Sequence, residues 1–324
     1  MVASICYQII GSVSDRRRYP PHGKLVDVGG YRLHISVSGE GEPTVILDTG
    51  LGHTSQIWGL VQSEVASFTR VCSYDRAGYG WSDPRSSPRT SIQIVEELHK
   101  LLKNAGLPGP YVLVGHSFGG LNMYLYALRY PNEVAGLVLV DAVSYDTLTL
   151  SMSELQQFAA VNRIRFHALS FANRLGLFRL FARVRGMDAV MDFIKHLPID
   201  SQQATLSSFM RKTFAAAASE STHMEESVRF VHALHIAYPT PLTIPLAVVT
   251  HGTPDMFTRH LSAQDALQAE ERWQRLQTEL AKSSTQGTLI VAQQSGHKIH
   301  IEEPEVVVNA IQKVVQAIQY KEKE

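Results

Sequence analysis

The chain has 324 residues, 44% of them hydrophobic, and its 30 Lys+Arg are balanced by 30 Asp+Glu. That length and apolar content suit one large α/β domain with an insertion, or two modest domains. The zero formal net charge excludes a global field favouring nucleic acid or another polyanion. Cys6 and Cys72 lie in unrelated contexts and read as free thiols, so nothing demands an oxidising compartment.

Residues 1–10 are apolar but too short to span a bilayer, and they lack the basic start and cleavage site of a secretory signal. Arg16-Arg17-Arg18 and Pro20-Pro21 follow. Residues 1–23 are therefore expected to form a docked or frayed arm, the alternative being an interfacial membrane segment. A hairpin follows, with strands over 24–28 and 31–37 about Gly29-Gly30. Apolar β-type runs recur at 44–47, 70–74, 111–114, 134–140, 246–250 and 288–292. Helix-compatible segments at 92–104, 118–129, 265–281 and 304–318 alternate with most of them. Alternating strands and helices after a hairpin predict a mostly parallel sheet covered on both faces. Between about 144 and 238 helical patterns follow one another without a strand, which predicts a helical cap. The expected division is an arm (1–23), a core in two parts (24–143 and 241–324) and the cap (144–240).

Gly115-His116-Ser117-Phe118-Gly119 lies between the run at 111–114 and the helical pattern at 118–129. It has the G-x-S-x-G form of a nucleophile elbow, whose glycines let the chain turn sharply around an exposed serine. Such a serine needs a base and an acid, in the chain order serine, acid, histidine. His297, in Ser295-Gly296-His297 beyond the run at 288–292, is the leading base. His300 reads as a pocket-rim or helix-entry residue, and His116 should point away from the serine. His232 and His235 share a helical spacing without a third ligand, so no metal and no cofactor are expected. Asp255, after Thr250-His-Gly-Thr-Pro, is the favoured acid. Asp141, at the end of Gly136-Leu-Val-Leu-Val-Asp141, is the alternative. Backbone N–H groups of Phe118 and of Leu51, in Thr49-Gly50-Leu51-Gly52-His53, are the expected oxyanion donors. Trp58, Trp81 and His53 are candidate pocket residues. Asp48, Asp75 and Asp83 read as turn or capping residues.

Taken together and in this order, these motifs, with Tyr74-Asp-Arg-Ala-Gly-Tyr-Gly-Trp-Ser-Asp83 and Tyr130-Pro-Asn-Glu-Val134, make the chain resemble the α/β-hydrolase superfamily from about residue 24 to 319. It is most similar to the capped serine hydrolases that include esterases and proline-iminopeptidase-like enzymes. The resemblance implies an eight-stranded, mostly parallel sheet with helices on both faces and an inserted helical cap. Haloalkane dehalogenases and epoxide hydrolases of this fold use an aspartate nucleophile, and Ser117 argues against both. Two departures stand out: Thr49-Gly50 where many members carry His-Gly, and Gly252-Thr-Pro-Asp255 as the acid loop.

The expected activity is hydrolysis of a small-molecule carboxylic ester through Ser117, His297 and an aspartate. An amide or peptide hydrolase is the alternative, with Glu220, Glu225 and Glu226 available to hold a substrate amine. A non-catalytic ligand-binding protein is the reading from another class. Between Glu154 and Asp188 there is no acidic residue, while Arg163, Arg165, Arg174, Arg179, Arg183 and Arg185 alternate with Phe166, Phe171, Phe178 and Phe181. With Arg16 to Arg18, this raises a peripheral membrane contact for an otherwise cytoplasmic protein.

Overall fold

The β-branched runs become strands β1 (Lys24–Asp27), β2 (Arg32–Ser38), β3 (Thr44–Asp48), β4 (Val71–Tyr74), β5 (Tyr111–His116), β6 (Val134–Val140), β7 (Leu242–His251) and β8 (Ser284–Ala292). The computed structural model describes residues 2–185, 192–210, 212–238, 240–254 and 262–321. The strands make one sheet in the order β1-β2-β4-β3-β5-β6-β7-β8. β2 pairs antiparallel with β1 and with β4, and every other pairing is parallel. The opening hairpin turns on Gly29 and Gly30, both at positive φ, and the Asp27 carboxylate accepts the Gly29 N–H at 2.9 Å.

Parallel strands buried on both faces carry apolar side chains at successive positions, and alternate residues separate into two layers. Leu113, Leu137, Leu139 and Val248 join Ile94, Leu98 and Leu101 of helix Ser91–Asn104, Leu121 of helix Phe118–Arg129 and Trp273 of helix Ala263–Ala281. Val112, Val114, Val138, Val140 and Val249 pack on the other face with Val61 and Val65 of helix Gly59–Val65 and Val307, Ile311 and Val314 of helix Pro304–Lys321. Thr90 and Ser262 cap two of these helices, accepting the N–H groups of Gln93 and Asp265.

β7 and β8 start earlier than their apolar runs suggest. The register slips between Leu242 and Pro245, where proline lacks a ladder donor. Between β6 and β7 lie helices Thr147–Arg174, Leu177–Arg185, Ile199–Phe209, Thr213–Thr222 and Met224–Ala237. Phe166, Phe209 and Phe214 from this insertion cluster with Tyr79 of the loop after β4.

Residues 2–18 form a helix where the apolar and basic pattern predicts only an arm. Tertiary contacts account for it. Gln8 Nε2 donates to the Met210 carbonyl, and Arg179 Nη2 lies 2.6 Å from Asp15 Oδ2. Gly11 faces the same guanidinium so closely that a methyl there would lie 2.6 Å from Arg179 Nε. Trp81 Nε1 donates to the Tyr19 carbonyl at 3.1 Å, fixing the exit of the helix.

Candidate active site

Parallel register gathers the ends of five strands. Asp48 pairs with Gly115, His116 with Val140, Val140 with Val249, and His251 with Ala292. The residues just beyond these carboxyl ends therefore share one edge of the sheet. Ser117 follows β5, Asp141 follows β6, and the loop carrying His297 follows β8.

Ser117 sits between strand and helix at φ 53 and ψ −120, a conformation L-residues rarely adopt. The glycines around it serve close approach. A methyl at Gly115 would lie 2.5 Å from the Gly119 oxygen, and one at Gly119 would lie 2.5 Å from the Thr49 oxygen. The turn is pinned by the Ser117 N–H to the Val140 carbonyl at 3.0 Å, and by the Val143 N–H to the Ser117 carbonyl at 3.0 Å. Ser117 itself is half-buried, at the start of helix Phe118–Arg129.

Phe118 is the first residue of that helix, and its N–H is one of the four that the helix cannot satisfy internally. The loop after β3 runs alongside, since a methyl at Gly50 would lie 3.2 Å from Ser117 Cβ. A buried guanidinium holds this loop. Arg76 donates to Asp48 Oδ1 (2.7 Å), the Thr49 carbonyl (2.6 Å) and the Gly50 carbonyl (3.0 Å). It also takes both oxygens of Glu220, at 2.9 and 3.0 Å, and the Tyr79 hydroxyl donates to Glu220 Oε2 at 2.6 Å. Asp48 is thus an ion-pair partner of Arg76 rather than a turn residue. Asp75 is buried, accepting the Ser55 and Trp81 N–H groups beside His34, while Asp83 pairs with Arg32.

His297 Nδ1 lies 2.6 Å from Asp141 Oδ2, with the carboxylate fully buried and the imidazole partly open. Trp273 stands edge-on to the ring, its centroid 6.3 Å away. Asp141 is itself at positive φ, its N–H bound to the Val249 carbonyl at 2.7 Å. Its Oδ1 accepts from Trp273 Nε1 at 2.9 Å, and its Oδ2 also meets His251 Nδ1 at 2.8 Å. His251 Nε2 then reaches Glu270 Oε1 at 2.9 Å. Burial alone would raise the Asp141 carboxyl, but hydrogen bonds from His251 and His297 hold it well below its ordinary value. Burial works against a charged His251, and its two carboxylate partners override it, pushing the imidazole up to about 10.

Three histidines packed nearby are held below their ordinary values. Burial, with the neighbouring His300 and His297, holds His116 well below its usual value, and its Nε2 donates to the His297 carbonyl at 2.9 Å. The His300 ring lies tilted against His116, and burial likewise pushes it down. Burial, with Lys298 and His297 nearby, lowers His53 to about 3.

The profile of the alpha/beta hydrolase family matches residues 45–310. The chain belongs to that family. It is 26% identical over 311 residues to a probable transporter, efuK, of Hormonema carpetanum; the match covers 92% of this chain but 43% of the relative, so the chain spans less than half of that protein. Among solved structures, an esterase from Thermogutta terrifontis superposes with a TM-score of 0.63 at 21% identity, covering 91% of this chain and 98% of the esterase. An epoxide hydrolase from Bacillus megaterium superposes with a TM-score of 0.67 at 18% identity, covering 90% and 100%. Likeness at these identities establishes the fold alone.

Within this hydrolase-family chain, the residues expected at the site divide into two groups. Ser117, Phe118, the 49–53 loop and His297 are brought to one edge of the sheet. Asp255 lies outside the described residues, and the carboxylate on His297 is that of Asp141. Trp58 is fully buried with its ring tilted against His300, while Trp81 packs on His34 near the N-terminal helix. Those contacts make both tryptophans packing residues. Sequence reasoning assigned no role to His251, Glu270 or Trp273. The available signal was His251 at the carboxyl end of β7, one strand from Asp141.

Proposed function

We propose that this protein is a serine hydrolase cleaving a small-molecule carboxylic ester through an acyl-enzyme, with Ser117 as nucleophile, His297 as base and Asp141 as the orienting acid. The observation that carries this reading is the 2.6 Å contact between His297 Nδ1 and Asp141 Oδ2, next to a serine held at positive φ. Nδ1–H donation to the carboxylate leaves Nε2 as the basic nitrogen.

His297 Nε2 takes the Ser117 hydroxyl proton as Oγ attacks the ester carbonyl. The resulting oxyanion is received by the N–H groups of Phe118 and Leu51, and the Arg76 clamp on the Thr49 and Gly50 carbonyls keeps the second donor in place. Collapse expels the alcohol, protonated by His297. Water then attacks the acyl-enzyme with His297 again as base, releasing the acid and restoring Ser117.

Serine at the elbow favours acyl transfer over the epoxide chemistry of the Bacillus megaterium structure. The amide reading is weakened at two of its three glutamates: Glu220 is 0% exposed and engaged by Arg76 and Tyr79. Glu225 pairs with Arg229. The test is a fluorophosphonate probe with the adduct mapped by mass spectrometry, beside p-nitrophenyl esters of graded chain length. An adduct on Ser117 and a loss of roughly 10⁴-fold or more in kcat for Ser117→Ala are expected. Absence of both adduct and turnover would remove the assignment.

A further inference from the structure

We propose that the protein docks on an anionic lipid bilayer through the face shared by helix Val2–Arg18 and helix Thr147–Arg174. Ile5, Ile9, Val13 and Arg16 recur at three- and four-residue spacing, so they form one stripe of the N-terminal helix. Across from that stripe, Phe171 and Arg174 complete a groove of about 690 Å³. Ile9 is 57% exposed and Phe171 64% exposed, so the groove is lined by apolar side chains left open rather than packed in the core. Ile10, Ile164 and Val184 add to the exposed apolar surface.

Charge selects the occupant. The helix carries Arg16, Arg17 and Arg18 in its last turn, and Arg174 ends the facing helix. Among the described residues none of these four has a carboxylate partner. The only acid on the N-terminal helix, Asp15, is already paired with Arg179. No acidic residue occurs between Glu154 and Asp188, although the chain as a whole is neutral. A second copy on this face would bring arginines against arginines, because a twofold contact pairs a patch with itself. Apolar side chains edged by unpaired arginines instead match the boundary between acyl chains and anionic headgroups. No helix of the described residues is long and apolar enough to cross a membrane, so the contact is interfacial.

The full chain should float with vesicles of phosphatidylcholine and phosphatidylglycerol, less at high salt, and not with phosphatidylcholine alone. Each basic residue at such a surface strengthens binding about fivefold, so Arg16→Gln/Arg17→Gln/Arg18→Gln should lose on the order of 100-fold in partitioning. Ile9→Asp/Val13→Asp should abolish flotation with the far-UV circular dichroism unchanged. If that variant unfolds, Phe171→Ser reads the same face. Failure of the wild type to float, equal flotation with neutral vesicles, or undiminished flotation of both the charge and apolar variants would overturn the proposal. A concentration-dependent doubling of mass lost in Ile9→Asp/Val13→Asp would also overturn it, assigning the face to a second copy.

Discussion

Asp141 Oδ2 and His251 Nδ1 lie 2.8 Å apart with neither side chain exposed. The carboxylate that meets His297 is therefore shared with a second imidazole, whose other nitrogen reaches Glu270. With its pKa raised to about 10, His251 is a buried cation at neutral pH, flanked by two carboxylates.

A pH dependence of stability follows from the signs. His251 has a folded pKa above its ordinary value of about 6.5, so its contribution is complete below that pH and is lost as pH rises through about 10. Asp141 is depressed, so its contribution is present above about 3.9 and is lost as pH falls through its native value. Tm by scanning fluorimetry should be highest between these limits and decline from about pH 6.5 toward 10. His251→Gln should flatten the alkaline decline and, by removing a cation near His297, shift the acid limb of kcat/KM to higher pH. An unchanged alkaline slope in His251→Gln would show that another group titrates there.

Two aspartates compete for the acid role, and two neutral variants separate them. Asp141→Asn should lower kcat by about 10⁴-fold through loss of the His297 tautomer, while Asp255→Asn should change it little. Collapse in Asp255→Asn alone, measured on the same p-nitrophenyl ester, would reverse the assignment.

The Arg76 clamp joins the loop after β3 to the inserted helix Thr213–Thr222 through Glu220. Arg76→Ala would leave Asp48 and Glu220 buried without their cation, a change expected to cost about 3–5 kcal/mol by urea unfolding. Glu220→Gln keeps the volume and part of the hydrogen bonding, so it should cost less. In both, kcat should fall more than KM rises if the Leu51 N–H is the oxyanion donor proposed above. A fall in stability with kcat unchanged would limit the clamp to a packing role.

The strand runs, the elbow pattern around Ser117 and the loop carrying His297 were legible in the chain, because apolar runs, glycine spacing and the order of elements are local or sequential signals. The continuous apolar runs at 111–114 and 134–140 already implied a sheet covered on both faces. The partner of His297 was not legible in the same way. Asp141 and Asp255 each follow a β-run, and only the parallel register of β5 to β8, together with the Val249 carbonyl on the Asp141 N–H, decides where a carboxylate points. The same holds for residues 2–18, whose helix depends on Gln8 meeting Met210, 202 residues away, and on Asp15 and Gly11 meeting Arg179, 164 residues from Asp15. Sequence determined the fold and marked Ser117, the proposed nucleophile, through short-range pattern. Tertiary structure decided which acid meets the histidine and which apolar face stays open, because both depend on contacts between segments distant in the chain.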